Sequence, residues 1–334
     1  MIGHEWAQEL FRHVLQHGRL GHAYLFVGPP SVGKTALALY LAGLLVCSEQ
    51  QRPCGVCRAC RNVARGGHPD VRMLVRAEER RDITIDQVRG LEEEIAMAPY
   101  EAPRKIFCLS GADSLNGAAA SALLKTLEEP PPHSTLILAV ADPSSLPSTI
   151  RSRCQQLILQ PLPARAIAAG LVAQHGVGQE QALALASLAR GRPGWAVQAL
   201  ASPELVERER HTATLLADLA RSGPFTRLMA IEAWLGKGSF VESRTRALAL
   251  LAQMEGWWRD ALLASAGGPG SALQAHLVGD VGFVYFSTKE ITTFLVQIQE
   301  TASRVEANVT PRLALEHLLG MMPVAREVAH VALR

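Results

Sequence analysis

Residues 28 to 35 read GPPSVGKT, in which Gly28, Gly33, Lys34 and Thr35 satisfy the spacing G-x-x-x-x-G-K-[ST]. The chemistry this spacing suits is phosphate binding. Glycines let backbone N–H groups face phosphate oxygens, a lysine neutralises the β/γ charge, and a threonine hydroxyl at a helix N-terminus can ligate magnesium. A tight strand-to-helix turn without nucleotide uses the same residues. Hydrolysis asks for two further parts: an acid at the end of a second strand to hold magnesium, and a neighbouring carboxylate to orient water. In KIFCLSGADSL, residues 106 to 115 with Lys105 before them, those places fall on Ser110 and Gly111. A hydroxyl is a weak magnesium ligand and glycine offers no base. Asp113 lies farther on and reads as a capping or loop aspartate. The expected ligand is ATP or ADP with magnesium, held without turnover.

A second group is CSEQQRPCGVCRAC, where Cys47, Cys54, Cys57 and Cys60 give C-x6-C-x2-C-x2-C. Four thiolates suit tetrahedral zinc, and two-residue gaps turn consecutive sulfurs inward on a tight knuckle. With four sulfur ligands such a site is closed and structural. Reduced thiols without metal are the alternative. Arg52, Arg58, Arg61 and Arg65 surround the cluster and suit a solvated face or phosphate contacts. Cys108 falls in an expected strand and reads as core. A third group is SLPSTIRSRC, residues 145 to 154, which sets Arg151 and Arg153 at an exposed turn after a short helix. An arginine there is either an ordinary surface cation or one that reaches a phosphate held by another subunit.

These residues need elements to carry them. Up to about residue 160, the apolar runs AYLFV (23–27), VRMLV (71–75), KIFCL (105–109), TLILAV (135–140) and QLIL (156–159) alternate with helical patterns. Near-continuous apolar strands separated by helices predict a parallel sheet covered on both faces. From PLPARAIAAGL onward the spacing becomes helical. The chain is therefore α/β and then all-α. One helical unit runs from 161 to about 210, with Gly191, Pro193 and Gly194 punctuating a turn before another helix. A second helical unit, 211–334, contains RALALLAQMEGWWRDALLAS, in which Trp257 and Trp258 read as packing residues. The loop 266–276 is expected to be exposed and mobile.

The N-terminal segment has charged residues threaded through its apolar positions and reads as an amphipathic helix rather than an export signal. No membrane span is apparent, so the expected location is the cytoplasm. Lys and Arg total 33 against 31 Asp and Glu, a formal charge of +2. That balance gives no global footprint of a nucleic-acid binder and counts against a zinc-dependent DNA-binding module.

Taken together, HAYLFVGPPSVGKT, the four-cysteine insert, LNGAAASALLKTLEEPPPHSTLILA and LPSTIRSRC resemble the bacterial clamp-loader family of AAA+ proteins, over residues 22 to 154. The resemblance implies an AAA+ nucleotide-binding domain at 1–160 with a zinc module at 47–60, a helical lid at 161–210 and a C-terminal helical collar at 211–334. It also implies partners: motor (gamma/tau) and delta subunits in a hetero-pentameric ring, a sliding clamp, and primed DNA reached through the complex. In that family the S-R-C motif, here Ser152, Arg153 and Cys154, presents its arginine to ATP on an adjacent motor subunit. Arg153 is thus the implied catalytic residue, acting in trans. The motor members carry an aspartate-glutamate pair where Ser110 and Gly111 stand, a polar sensor where Ala139, Val140 and Ala141 stand, and a lid arginine near Gly194. Arg192 is a weak substitute for the last, since a proline follows it. These departures imply the stator member of the family, with an ATP-hydrolysing motor subunit as the alternative.

Overall fold

The computed structural model describes residues 1–75, 82–265, 284–324 and 326–327. The chain divides into two compact units, Met1–Gln198 and Ala199–Arg334. In the first, five strands form one parallel sheet: β1 (Ala23–Val27), β2 (Val71–Val75), β3 (Lys105–Ser110), β4 (Ser134–Val140) and β5 (Gln155–Ile158). Their order across the sheet is β2-β3-β4-β1-β5. Each expected strand is present to within a residue.

The strands hold because both faces are covered. Tyr24, Phe26, Ile106, Cys108, Ile137 and Ala139 pack on one face with α1 (Glu5–Gln16) and α2 (Lys34–Val46). Leu25, Phe107, Leu109, Leu136 and Leu138 pack on the other with α4 (Ile85–Ala96) and α5 (Gly117–Glu128). The alternation is the period-two geometry of a strand, and with both faces buried neither set is polar. Between α2 and β2 lies the short α3 (Arg58–Ala64), and α6 (Ser148–Arg151) leads into β5. The glycine-rich loop follows β1 directly, so the parallel sheet covered on both faces and its loop are arranged as the sequence predicts.

Three helices complete the first unit's chain: α7 (Ala164–His175), α8 (Gln179–Leu188) and α9 (Pro193–Ala201), the last reaching past the division. Pro193 and Gly194 open α9 instead of belonging to the turn before it. Proline's fixed φ and missing N–H are tolerated in the first turn of a helix, where that donor has no partner anyway.

The second unit is built from α10 (Pro203–Arg221), α11 (Pro224–Leu235), α12 (Phe240–Ser265), α13 (Thr288–Glu306) and α14 (Pro311–Gly320). The two-residue strands β6 (Val284–Tyr285) and β7 (Arg326–Glu327) pair antiparallel, a small addition to an otherwise helical unit. Trp257 and Trp258 are buried in its core, as their place on an apolar stripe implies; Trp258 packs edge-on to Phe294 with ring centroids 4.9 Å apart. Arg227, also buried, donates to the carbonyls of Leu219, Ala220, Leu319, Met322 and Pro323, tying helix ends together. The loop 266–276 lies outside the described residues.

Candidate functional site

The loop GPPSVGKT links β1 to the N-terminus of α2, so its residues 28–35 sit at the C-terminal ends of the parallel strands, where α/β sheets bind ligands. Gly33 caps α2 with φ +120, a conformation that side-chain-bearing residues avoid. Lys34 Nζ donates to the carbonyls of Gly28 and of Pro29, the latter at 2.9 Å. Burial pulls the Lys34 pKa down, and the charge of Asp113 opposes that shift. Thr35 follows in the first turn, exposed.

The loop is also held from outside. His4, 3% exposed and in the left-handed region at φ 56, places its ring Nε2 2.9 Å from the Val32 carbonyl. From α9, the Gly194 N–H donates to the Ser31 carbonyl at 2.8 Å. A Cβ on Gly194 would lie 2.9 Å from that oxygen, so glycine is what permits the approach. Where the motor members carry an arginine, this chain brings bare backbone against the loop. Arg192 Nε donates to Ala189 O at 2.9 Å, and its guanidinium lies 5.8 Å from the centroid of the Trp195 ring.

The places expected to lack hydrolytic groups are next to the loop. Ser110 ends β3, Gly111 follows with φ +74, and Gly111 N–H donates to Ala139 O. Ala139 and Val140 are buried, and their apolar side chains have nothing to offer a phosphate. Asp113 is engaged as a tie: its Oδ1 accepts from the N–H groups of Ala141 (2.8 Å) and Asp142 (3.2 Å) and from Ser145 Oγ (3.3 Å). That pins the turn after β3 to the loop after β4, the loop-aspartate role expected of it.

Arg153 lies at the other end of the sheet. It precedes β5, whose first residue Gln155 is in register with Tyr24, while Val27 beside the phosphate loop is in register with Ile158. At 3.3 Å per residue, about 10 Å of strand separates the two ends. Its side chain is 36% exposed; Nη2 lies 2.8 Å from Glu128 Oε1, and Nη1 donates to Thr149 O at 2.9 Å. This arginine is set away from its own loop. Ser152 and Cys154 flank it; burial pushes the Cys154 thiol up to about 12, which keeps it protonated.

The four cysteines come together. Cys47 caps the C-terminus of α2, Cys57 caps the N-terminus of α3, and Cys60 lies in its first turn. All four Sγ atoms lie within 4.8 Å of one another; tetrahedral zinc at about 2.3 Å from each sulfur needs them about 3.8 Å apart. Cys57 N–H donates to Cys54 Sγ (3.3 Å) and Cys60 N–H to Cys57 Sγ (3.4 Å), the amide-to-sulfur contacts of a metal knuckle. Such donors favour thiolate, and those from Cys57 and Val56 lower the Cys54 pKa. The donor set fits zinc, which would cross-link the end of α2 to α3. The four arginines around it are exposed, as a solvated face requires. Cys108 is core in β3, as expected.

The profile of the family described as "DNA polymerase III, delta subunit" matches residues 3–163. A Bacillus subtilis protein named DNA polymerase III subunit delta' is 28% identical over 94% of this chain and 94% of its own length. One of the same name from Pseudomonas aeruginosa is 41% identical over 48% of this chain and 49% of its own length. The chain is thus similar to proteins named DNA polymerase III subunit delta', in the Bacillus case over nearly its whole length. The Escherichia coli protein named DNA polymerase III subunit tau is also similar, 36% identical over 58% of this chain and 30% of its own length. The chain is similar to subunits of both names, so residues at the site have to separate them.

Three contacts escape sequence reasoning: His4 on Val32, Gly194 on Ser31, and Glu128 on Arg153. Each joins residues far apart in the chain. Gly194 left a trace as a turn residue, and Glu128 as an acid within the TLEEPPP segment.

Proposed function

We propose that this chain is a delta-prime-type stator of a clamp loader: it helps place a sliding clamp on primed DNA and donates Arg153 to ATP bound by a neighbouring motor subunit. The observation that carries the reading is the division of labour along one sheet. The loop end has Ser110, Gly111, Ala139 and Val140 where turnover needs polar and acidic groups, while the opposite end presents an exposed arginine. Gly28, Gly33, Lys34 and Thr35 are the residues that would hold the phosphates of ATP or ADP, with magnesium on Thr35; the nucleotide would supply a structural ligand.

The same reading assigns a lid at 161–210, a collar at 211–334, structural zinc on Cys47, Cys54, Cys57 and Cys60, and gamma/tau and delta subunits as ring partners. The names of the relatives support it. Among the described residues no helix is long and apolar enough to cross a membrane, which accords with work in the cytoplasm. The test is ATP turnover by the reconstituted loader with Arg153→Ala. A fall with intact assembly is expected; unchanged turnover and clamp loading overturn the assignment.

The intact phosphate loop favours a second reading, a motor subunit of the same family. Turnover by the isolated chain that disappears in Lys34→Ala would establish it, and the stator reading expects none.

A further inference from the structure

We infer that Glu128 is a positioning residue for Arg153: it holds the guanidinium at the surface until a neighbour's phosphate replaces it. This rests on the reading of Arg153 as a trans-acting group, and it goes beyond that reading by naming the residue that presents the arginine.

Glu128 is the last residue of α5, with Glu129 as the C-cap. A helix C-terminus carries partial negative charge, so an acid there is misplaced with respect to the helix that bears it. Lys125, in the same last turn, is the residue type expected. The compensating cation for Glu128 comes from another element. Arg153 Nη2 meets Glu128 Oε1 at 2.8 Å while Nη1 donates to Thr149 O at 2.9 Å, so two donors of one planar group are fixed from two directions. A guanidinium has five donors in a rigid fork, and fixing two of them sets the plane of the whole group.

The strength of the contact suits a holder that must let go. Both side chains are exposed, 36% for Arg153 and 52% for Glu128. An exposed pair contributes little in water, whereas a phosphate is a bidentate acceptor of higher charge. Glu128 therefore pre-sets the arginine's direction without competing strongly once phosphate arrives. A buried carboxylate would hold the arginine back; an absent one would leave a long side chain free to sample rotamers that miss the neighbour.

The experiment is steady-state ATP hydrolysis by the reconstituted loader, carrying this chain as wild type, Glu128→Ala, Glu128→Gln, Arg153→Ala or the double Ala variant. Subunit assembly is checked by gel filtration. Glu128→Ala should lower kcat by up to about five-fold at unchanged KM for ATP, the range an exposed ion pair allows. Glu128→Gln, which keeps an acceptor oxygen in place, should recover part of the loss. In the Arg153→Ala background, Glu128→Ala should do nothing more, because its only route to the nucleotide has gone. Full activity in Glu128→Ala with impaired Arg153→Ala overturns the inference and leaves the finger standing. An additive loss in the double variant overturns it too, since Glu128 then acts by another route. If Arg153→Ala itself is fully active, the underlying reading fails first.

Discussion

The two ends of the same five-stranded sheet are built for different work. At the C-terminal ends of the strands, backbone and side chains close on one another: Lys34 on the Gly28 and Pro29 carbonyls, Gly194 on Ser31, His4 on Val32, and Asp113 across the turns after β3 and β4. At the N-terminal ends, Arg153 stands exposed with one weak ionic partner. The difference separates holding a phosphate from acting on one. On the proposed function, the glycine-rich loop serves the first property, and the arginine, about 10 Å of strand away, serves a nucleotide on another molecule.

The largest effect is expected at the outward end. Arg153→Ala should reduce turnover at the neighbouring motor site by about 10³-fold, the lower range for a trans arginine. Arg153→Lys should recover little of this, because a point charge lacks the planar fork. Single-turnover hydrolysis in the reconstituted loader reads both. If Lys restored full rate, charge rather than geometry would be the contribution of this end.

At the inward end the effect should be on folding. Asp113→Ala strips the acceptor from two backbone N–H groups, for an expected loss of about 1–2 kcal/mol, measured by denaturant unfolding. Turnover by the isolated chain, which the stator reading expects to be negligible, should not change. A matching collapse of an intrinsic ATPase would make Asp113 a catalytic acid and erase the contrast between the two ends.

A smaller, pH-dependent effect tests whether the N-terminal end of the sheet, where Asp70 and Arg153 precede the two opposite edge strands, is a rigid base. Asp70, immediately before β2, is 1% exposed, and its carboxylate accepts from the N–H groups of Tyr100, Glu101 and Ala102 at 2.6, 2.8 and 2.8 Å. Burial alone would raise its pKa, but these donors, with the charge of His68, outweigh burial and lower it. A lowered folded-state pKa means stability that is present above the unfolded value of about 3.9 and is lost as pH falls through the folded one. Asp70→Asn should flatten that acid limb in pH-dependent thermal unfolding; an unchanged slope would remove Asp70 as its source.

The sequence made the strands legible because each is buried on both faces and so reads as an unbroken apolar run between helical patterns. The phosphate loop and the cysteine knuckle were legible because their chemistry is local: a few neighbouring residues set the whole geometry. Asp113 was readable as a capping or loop aspartate from its place beyond the strand end, though not which backbone groups it would tie. What stayed hidden was pairing at a distance. Nothing near Gly194 in the sequence indicates that it approaches Ser31, and the turn signal of Pro193 with Gly194 concealed the first turn of α9. Nothing in the sequence around Glu128 marks it as the partner of Arg153, which stands 25 residues on.

The claim that this chain acts on a neighbour's nucleotide is tested most directly by ATP turnover of the reconstituted loader with Lys34→Ala and Arg153→Ala side by side. The two ends of the sheet predict a loader that stays close to full rate with Lys34→Ala and loses turnover with Arg153→Ala. The opposite pattern, loss with Lys34→Ala and normal rate with Arg153→Ala, would show that the chain burns its own ATP and would contradict the account.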